Sequence, residues 1–521
     1  MRALLVGSLL SVSAIARAGG IVVPGAGPQA QARAGAFVAK SDDPSAMANN
    51  PAGFARVRGT VVGLGVNLVN YDETYQRTGR YEASGDPDAG DYEGQPYPEV
   101  TENSSPAIGF AGFQAIPLVA VASDLGHPEW PVRFAVGVFA PQGYPERHFD
   151  ERVDVGTSDD APSPQRYDNM EQRARIIMPS LAVAWSPLAN LDVGVRVGWG
   201  YAQVHGRKSV WSITNYEEFE GSDSIFTVNV HDRFIPGGTV GVLWRPARPL
   251  EVGATWQSPM HVYAHGTGSS RLSGGFGSFT IETQPVPDEF ALCDKGGTPG
   301  AFKSCLSLDV PQMATVGARW IFRDARGGER GDLEVDVAWE DWSNASDTHI
   351  LVDAQVVIND GPFLLLNESL SRHGFQDVWS VRAGGSWAVQ VGGHRVELRA
   401  GAAHDTRTAP LSWTRVDLDG KPRTTVAAGL GVSAGRYRVD LGGGVVLEPD
   451  RTVAQCKPPD GPTLQDRGCG NSGADTDYFD RTAPDVGQPL QGTFNQFEAP
   501  FNAGTYRSGY VLLHLGLTVA L

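Results

Sequence analysis

Long segments in which apolar residues alternate with small or polar ones constrain this chain most strongly. Between Leu191 and Tyr201, every second residue is Leu, Val, Trp or Tyr, and the residues between them are Asp, Gly or Arg. The segment that ends at Leu521 repeats the pattern. Residues two apart in a strand point the same way, so each segment predicts a strand with one apolar face.

The alternation predicts an all-β fold, a fourteen-stranded antiparallel transmembrane β-barrel. A soluble sandwich shows the same alternation, but these segments are longer than soluble strands, and long connections alternate with short ones. We place the strands near 60–75, 106–123, 131–145, 173–187, 190–208, 228–246, 249–266, 309–323, 330–346, 376–390, 394–408, 422–434, 436–452 and 505–521. Trp residues in or beside these strands, such as Trp185 and Trp379, are expected to form interfacial girdles.

Two segments precede the predicted barrel. Residues 1–18 have a positive start, a short apolar run and an A-x-A site, which indicates a signal peptide and export to the bacterial outer membrane. Residues 19–58, which include the Gly- and Pro-broken stretch Arg33–Arg58, fit neither a long helix nor a strand pair. We expect them to form a hatch inside the lumen, with residues 59–521 forming the barrel and its long outer loops.

Composition excludes some functions. The formal net charge is -17 and the pI is near 5.1, which argues against a nucleic-acid partner. The four cysteines of an exported chain are expected to form two loop disulfides, Cys293–Cys305 and Cys456–Cys469. We expect no metal and no cofactor, because His261 and His265 share a strand face with no evident third ligand.

Several short motifs resemble the FadL family of outer-membrane transporters for long-chain fatty acids and other hydrophobic compounds. The motifs, in chain order, are RAG at 33–35, DPSA at 43–46, NPAG at 50–53, GVFAPQG at 137–143, LDVP at 308–311, GARW at 317–320 and DVAWEDWS at 336–343. The resemblance implies ligand capture at outer loops, an inner pocket, a hatch movement and lateral exit through a gap in the wall. It also implies a lipid bilayer with lipopolysaccharide around a monomer, and insertion by the barrel-assembly machinery.

Two Pro- and Gly-containing motifs are candidates for moving parts. Asn50, Pro51, Ala52 and Gly53 are either a hinge in the hatch or an ordinary turn, because Pro fixes φ and Gly permits positive φ. Pro141, Gly143 and Pro145 interrupt the third strand, since Pro cannot donate to a ladder. They indicate either a kink that opens a lateral gap or simply the end of the strand.

Charged residues on the polar strand faces are candidates for salt bridges that hold the hatch. These candidate lumen charges are Arg196, Asp336, Glu340, Arg382 and Arg399. Each arginine either serves the structure of the lumen alone or meets a ligand carboxylate. The apolar run at 362–366 belongs either to a capture groove or to the packing of its own loop.

The leading hypothesis is therefore passive uptake of hydrophobic molecules, with no catalytic residues. A general porin or a structural surface barrel is the alternative. A lipid hydrolase is a third hypothesis, and the G-x-S-x-G match at 431–435 is relevant to it. A nucleophile elbow needs a helix after the turn, whereas an alternating strand follows here, so we interpret the match as a hairpin.

Overall fold

The structure of the chain is a computed structural model. It describes residues 25–81, 90–106, 108–140, 146–210, 223–272, 281–294, 296–297, 301–345, 347–358, 361–365, 368–411, 414–453 and 503–521. The predicted signal peptide, residues 1–18, lies outside the described residues.

The described residues form fourteen barrel strands. They are β1 Thr60–Arg77, β2 Phe113–Ser123, β3 Val132–Phe139, β4 Glu171–Leu188, β5 Leu191–Val210, β6 Ser224–Ala247, β7 Leu250–Gln257 with Met260–Leu272, β8 Phe302–Val310 with Met313–Arg323, β9 Glu329–Glu340, β10 Val378–Val391, β11 His394–Asp405, β12 Arg423–Ala434, β13 Tyr437–Leu447 and β14 Gly504–Ala520. The two parts of β7 meet at a Ser-Pro pair and those of β8 at a Pro-Gln pair, where Pro has no N–H to donate.

The sheet closes on itself. Each strand pairs antiparallel with the next, and β1 pairs with β14 in a ladder from Val61↔Ala520 to Arg77↔Gly504. Closure removes the free edge that an open sheet would expose. The predicted fourteen-stranded antiparallel barrel is thus confirmed.

The apolar faces of the strands point outward. In β5, Val195 and Val197 are 45% and 56% exposed, whereas Arg196 between them is 2% exposed. The polar face therefore lines the lumen and the apolar face is left for lipid.

Exposed tryptophans lie near both ends of the apolar band. Trp185, Trp244, Trp320 and Trp387 lie near the short turns, whereas Trp199, Trp256 and Trp379 lie nearer the long loops. Trp379 and Trp387 share β10 and are about 26 Å apart along it at about 3.3 Å per residue. For a strand tilted by about 40° to the barrel axis, this separation along the strand corresponds to a vertical distance close to the height of an apolar band. These two rings therefore stand at the two levels expected of girdles.

The remaining elements are short. The helices are α1 Pro28–Gln31 and α2 Ala46–Asn49, with 3₁₀ turns at Pro51–Arg56, Asp288–Phe290 and Trp342–Asn344. The short strands are Glu99–Thr101, Gly109–Phe110, Arg147–His148, Arg152–Val153, Ala161–Pro162, Ile281–Pro285, Asp347–Val352, Ala354–Ile358, Gly361–Leu365, Glu368–Arg372 and Arg451–Val453. No helix within the described ranges has the length and apolar character needed to cross a membrane.

A disulfide joins Cys293 to Cys305. The expectation that both cysteines lie in a loop is wrong for Cys305, because it lies within β8, where the ladder with β7 pairs it with His265. Cys456 and Cys469 lie outside the described residues. The match at 431–435 is a hairpin, in which Ala434 pairs with Tyr437 and Gly435 takes a φ of 60°.

Candidate ligand-binding site and hatch

Residues 25–58 lie inside the barrel, and we call them the hatch. Most of them are buried, including Phe37 at 1% and Phe54 at 0% exposed. The hatch approaches the wall where strands carry glycine on the lumen face. Pro28 lies over Gly65 and Gly516, and Pro44 lies over Gly63.

Lumen glycines allow the hatch backbone to contact the wall directly. A Cβ added to Gly194 would lie 2.3 Å from the carbonyl carbon of Pro51, and one added to Gly401 would lie 2.2 Å from the carbonyl oxygen of Arg33. Equivalent clashes arise at Gly241 with the Asn50 side chain (2.1 Å) and at Gly253 with the Val38 carbonyl (2.4 Å). Real Cβ atoms do not approach so closely, so these positions require glycine.

Ion pairs fix the hatch to β9. The Arg33 guanidinium donates to Asp332 at 2.5 Å and to Glu334 at 2.9 Å, and all three side chains are buried. The backbone N–H of Ala39 donates to Glu334 at 2.6 Å. Because these charges are shielded from water, loss of one partner would leave the other charge buried and unpaired.

Asp336 and Lys40 extend this contact. Asp336 accepts hydrogen bonds from the backbone N–H groups of Phe37 (2.9 Å) and Val38 (3.1 Å). The Lys40 ammonium lies 3.0 Å from Asp42 and 3.4 Å from Asp332. Burial favours a lower pKa for Lys40, but the neighbouring carboxylates outweigh it and raise that pKa above its ordinary value.

The motif at residues 50–53 begins a 3₁₀ turn. The Asn50 side chain accepts a hydrogen bond from the N–H of Ala52 at 3.1 Å, and Pro51 occupies the first position of the turn. Gly53 does not adopt the positive φ that glycine permits, since its φ lies outside the left-handed region. Glycine is needed there because a Cβ would lie 1.9 Å from the Ser41 carbonyl oxygen.

All five candidate lumen charges are buried, but they serve different contacts. Arg399 pairs with Asp440 at 2.8 Å, and Arg382 lies 3.9 Å from Glu340, which also accepts a hydrogen bond from the Trp342 indole. Asp336 alone among the five bonds the hatch directly.

The expectation of a salt bridge is wrong for Arg196. Its guanidinium donates to Thr239 at 2.6 Å and lies 4.6 Å from the centre of the Phe139 ring. Within the described ranges it forms no ion pair, and its Nε has no hydrogen-bond partner. Arg196 has no ion pair with β4 because its neighbour on that strand is Met178 rather than a carboxylate.

Arg196 lines a cavity of about 130 Å³ between the hatch and the wall, which we call the inner cavity. The hatch contributes Phe37 and Val38, and the wall contributes apolar residues together with polar ones such as Thr255, Gln257 and Thr315. The other wall residues include Phe139, Met178, Thr239, Met260, Val310, Met313 and Arg382. The Nε of Arg382 also has no hydrogen-bond partner among the described residues. The cavity therefore combines apolar and neutral polar lining residues with two cationic groups.

The inner cavity touches the wall where strand pairing stops. Among the described residues, the ladder between β2 and β3 ends at Leu118↔Phe139, and that between β3 and β4 ends at Phe139↔Met178. Pairing with β4 resumes at Arg147↔Gln172. Pro141, Gly143 and Pro145 fall in this interval and lie outside the described residues.

A second cavity, of about 120 Å³, lies toward the long loops, and we call it the outer cavity. Its apolar residues include Ala174, Val204, Phe226, Leu306 and Ile350, and Asp168, His373 and Asp417 line its polar part. One buried apolar cluster contains Ala174, Val204 and Leu306 together with Met178 and Met260 of the inner cavity. The two cavities are thus joined by continuous apolar packing.

Other candidates lie apart from the cavities. Residues 361–365 form a short strand paired with Ala354–Ile358, and residue 366 is outside the described ranges. No group of three His, Cys, Asp or Glu side chains within the described part of the chain is placed to hold a metal ion.

Asp332 and Glu334, the partners of Arg33, were not singled out by the sequence analysis. The available signal was an acidic residue at every second position, 332, 334 and 336, between Leu333, Val335 and Val337.

Together, these features define an outer-membrane barrel whose lumen is filled by its own N-terminal segment and holds an apolar cavity. The model of the outer membrane protein transport protein family (OMPP1/FadL/TodX) matches residues 9–457. The chain therefore belongs to this family of outer-membrane transporters for hydrophobic compounds, and it is not an enzyme.

Solved structures with the same fold are distant in sequence. A FadL homologue of Pseudomonas aeruginosa is 15% identical, with a TM-score of 0.66 over 96% of this chain and 100% of that one. The toluene transporter TodX of P. putida is 12% identical, with a TM-score of 0.59 over 96% and 99%. The toluene transporter TbuX of Ralstonia pickettii is 14% identical, with a TM-score of 0.57 over 95% and 98%. No curated protein matches the chain.

Proposed function

We propose that the protein takes up hydrophobic monocarboxylates, such as long-chain fatty acids, passively across the outer membrane. The observation that carries this proposal is Arg196, a buried cation that lines an apolar cavity without an ion-pair partner among the described residues. A ligand carboxylate would supply that partner, and the apolar lining would hold the chain.

The apolar packing between the two cavities supports a route for the ligand. A molecule captured in the outer cavity passes along this packing into the inner cavity. Phe37 and Val38 of the hatch wall the inner cavity, so a movement of the hatch changes its shape. Exit occurs sideways past Phe139, because burial in lipid favours an apolar chain by about 0.8 kcal/mol per CH₂. Because the hatch fills the bore, the alternative function of a general porin is disfavoured.

Substitution of Arg196 tests the ligand class. Binding of a long-chain fatty acid and of toluene is measured on purified protein in mild detergent. Arg196→Met is expected to weaken fatty-acid binding about 10- to 100-fold, the value of a charged hydrogen bond, and to leave toluene binding unchanged.

Arg196→Lys is the matched control and is expected to recover part of the fatty-acid affinity. Unchanged fatty-acid affinity in Arg196→Met would contradict the role of Arg196. If the parent protein binds neither compound, the proposal of hydrophobic uptake fails as a whole.

A further inference from the structure

The connection between β11 and β12, residues 406–422, does not behave as an outer loop. Its described residues are mostly buried, with Thr408, Ala409 and Thr414 at 0% and Arg415 and Lys421 at 1% exposed. Connecting segments normally run over the surface, where water satisfies their backbone groups. This segment has therefore folded into the mouth of the bore.

The segment reaches opposite walls of the barrel. Ala409 and Leu418 pack in one apolar cluster with Trp342, Phe375 and Val378, at the upper ends of β9 and β10. Val416 packs in another cluster, which contains Tyr75 of β1, Tyr506 of β14, Val100, Phe149 and Val453. Arg415 lies 2.5 Å from Asp168, which precedes β4. Since β4 and β10 lie nearly opposite in the ring, the segment crosses the bore.

Buried polar contacts fix the segment in this position. Asp168 also accepts a hydrogen bond from the N–H of Val416 at 2.5 Å, and His373 lies 3.0 Å from Asp417.

Contacts from other strands complete the attachment. Arg147 donates to the Val416 carbonyl at 2.5 Å, and Arg451 donates to the carbonyls of Ala409 (2.9 Å) and Asp419 (3.1 Å). Lys421 donates to Ser508 of β14 at 2.7 Å. Wall residues thus satisfy backbone carbonyls that would otherwise lose their hydrogen bonds on burial.

We propose that the described residues 406–411 and 414–422 form an outer plug that seals the bore against polar solutes from outside, independently of the hatch. The plug leaves the outer cavity at its side, because Asp417 and Leu418 form part of that cavity's lining. Polar solutes are blocked along the axis, whereas apolar ligands reach the lumen beside the plug. This seal goes beyond the proposed function, which requires only the cavities and the hatch.

The test measures access to the space between the plug and the hatch. Thr425 of β12 is 1% exposed and lies one lumen position above Ala427, which packs on Ala34 of the hatch. Thr425→Cys is introduced, and its reaction with a membrane-impermeant charged maleimide is followed on intact cells. The reaction rate is compared with the rate in a shortened variant, in which residues 409–419 are replaced by a short Gly-Ser linker.

Reaction at residue 425 is expected to be at least tenfold faster in the shortened variant. Ser158→Cys, at an exposed loop position, is the control and should react equally in both backgrounds. Asp336→Asn, which loosens the hatch alone, should leave the reaction at residue 425 slow. Heat-modifiable migration in gels verifies that each barrel has folded.

Arg415→Ala removes the ion pair with Asp168 without shortening the chain, and it should give a smaller acceleration in the same direction. Equal rates in the parent, the shortened variant and Arg415→Ala would overturn the plug, as would fast reaction in the parent. No transported ligand takes part in the measurement, so its outcome is separate from that of the proposed function.

Discussion

Single side chains on the lumen face decide how the hatch is held. Arg33 is the residue with the most evident role, since its guanidinium joins the hatch to Asp332 and Glu334 of β9. Period-two alternation predicts which residues face the lumen, because the direction of a side chain in a strand is a local property. It does not predict partners, and Arg33 and Glu334 are 301 positions apart.

Glu334→Gln tests these buried ion pairs. The amide cannot balance the charge of Arg33, so hatch docking is expected to weaken by about 3 kcal/mol. Trypsin cleavage after Lys40, measured in detergent, should accelerate by about 100-fold.

Glu99→Gln is the matched control, because it removes an exposed ion pair with Arg507. Exposed pairs contribute about 1 kcal/mol or less, so cleavage after Lys40 should barely change. Equal cleavage rates in the two variants would mean that Glu334 does not hold the hatch.

Among the secondary-structure elements, the strands can be predicted from the sequence, whereas the segments that pack inside the barrel cannot. Alternation runs from Leu191 to Tyr201 in β5 and from Val511 to Val519 in β14, so these parts of the strands can be predicted from the local sequence. Residues 406–422, in contrast, contain Pro, Gly and Asp and look like an outer loop. Their burial depends on Asp168, Tyr506 and Val378, which come from distant strands, and no local pattern carries that information.

The glycines on the lumen face also act at the scale of elements, because their effect depends on how the strands are aligned with one another. Gly401→Ala places a Cβ 2.2 Å from the Arg33 carbonyl oxygen. Overpacking of this kind costs about 1–3 kcal/mol, so the backbone amides of the hatch should exchange hydrogen about 5- to 100-fold faster. Mass spectrometry of the peptide that spans residues 33–40 measures this exchange.

Gly238→Ala is the control, since the nearest atom to its added Cβ is 3.5 Å away. It changes glycine to alanine on a barrel strand without touching the hatch, and exchange should stay at the parental rate. If Gly401→Ala also leaves exchange unchanged, the wall glycines are not required for close contact.

At the scale of the whole molecule, the proposed uptake route requires the hatch and the barrel to move relative to each other. Ala52 of the hatch and Leu243 of β6 are fully buried and pack together. Cysteines at both positions would join the two parts covalently, and uptake of a radiolabelled fatty acid by cells should then be lost.

Reduction should restore uptake in the double variant, and each single cysteine variant should transport at the parental rate. Parental transport by the oxidised double variant would show that the hatch does not have to leave the wall near β6. The barrel itself should remain heat-modifiable in every variant, because its closure between β1 and β14 is distant from the cross-link.

The row of acids on β9 has a consequence for how fast the hatch can be displaced. Asp332, Glu334 and Asp336 face the hatch with almost no exposure, and they lose the hydrogen-bond donors that the hatch supplies once it departs. Water is the available hydrogen-bond donor, so water must enter the pore as the hatch moves away from β9. Displacement of the hatch then requires the entry of water. Its rate depends as much on the hydration of the three carboxylates as on the breaking of the contacts between the hatch and β9.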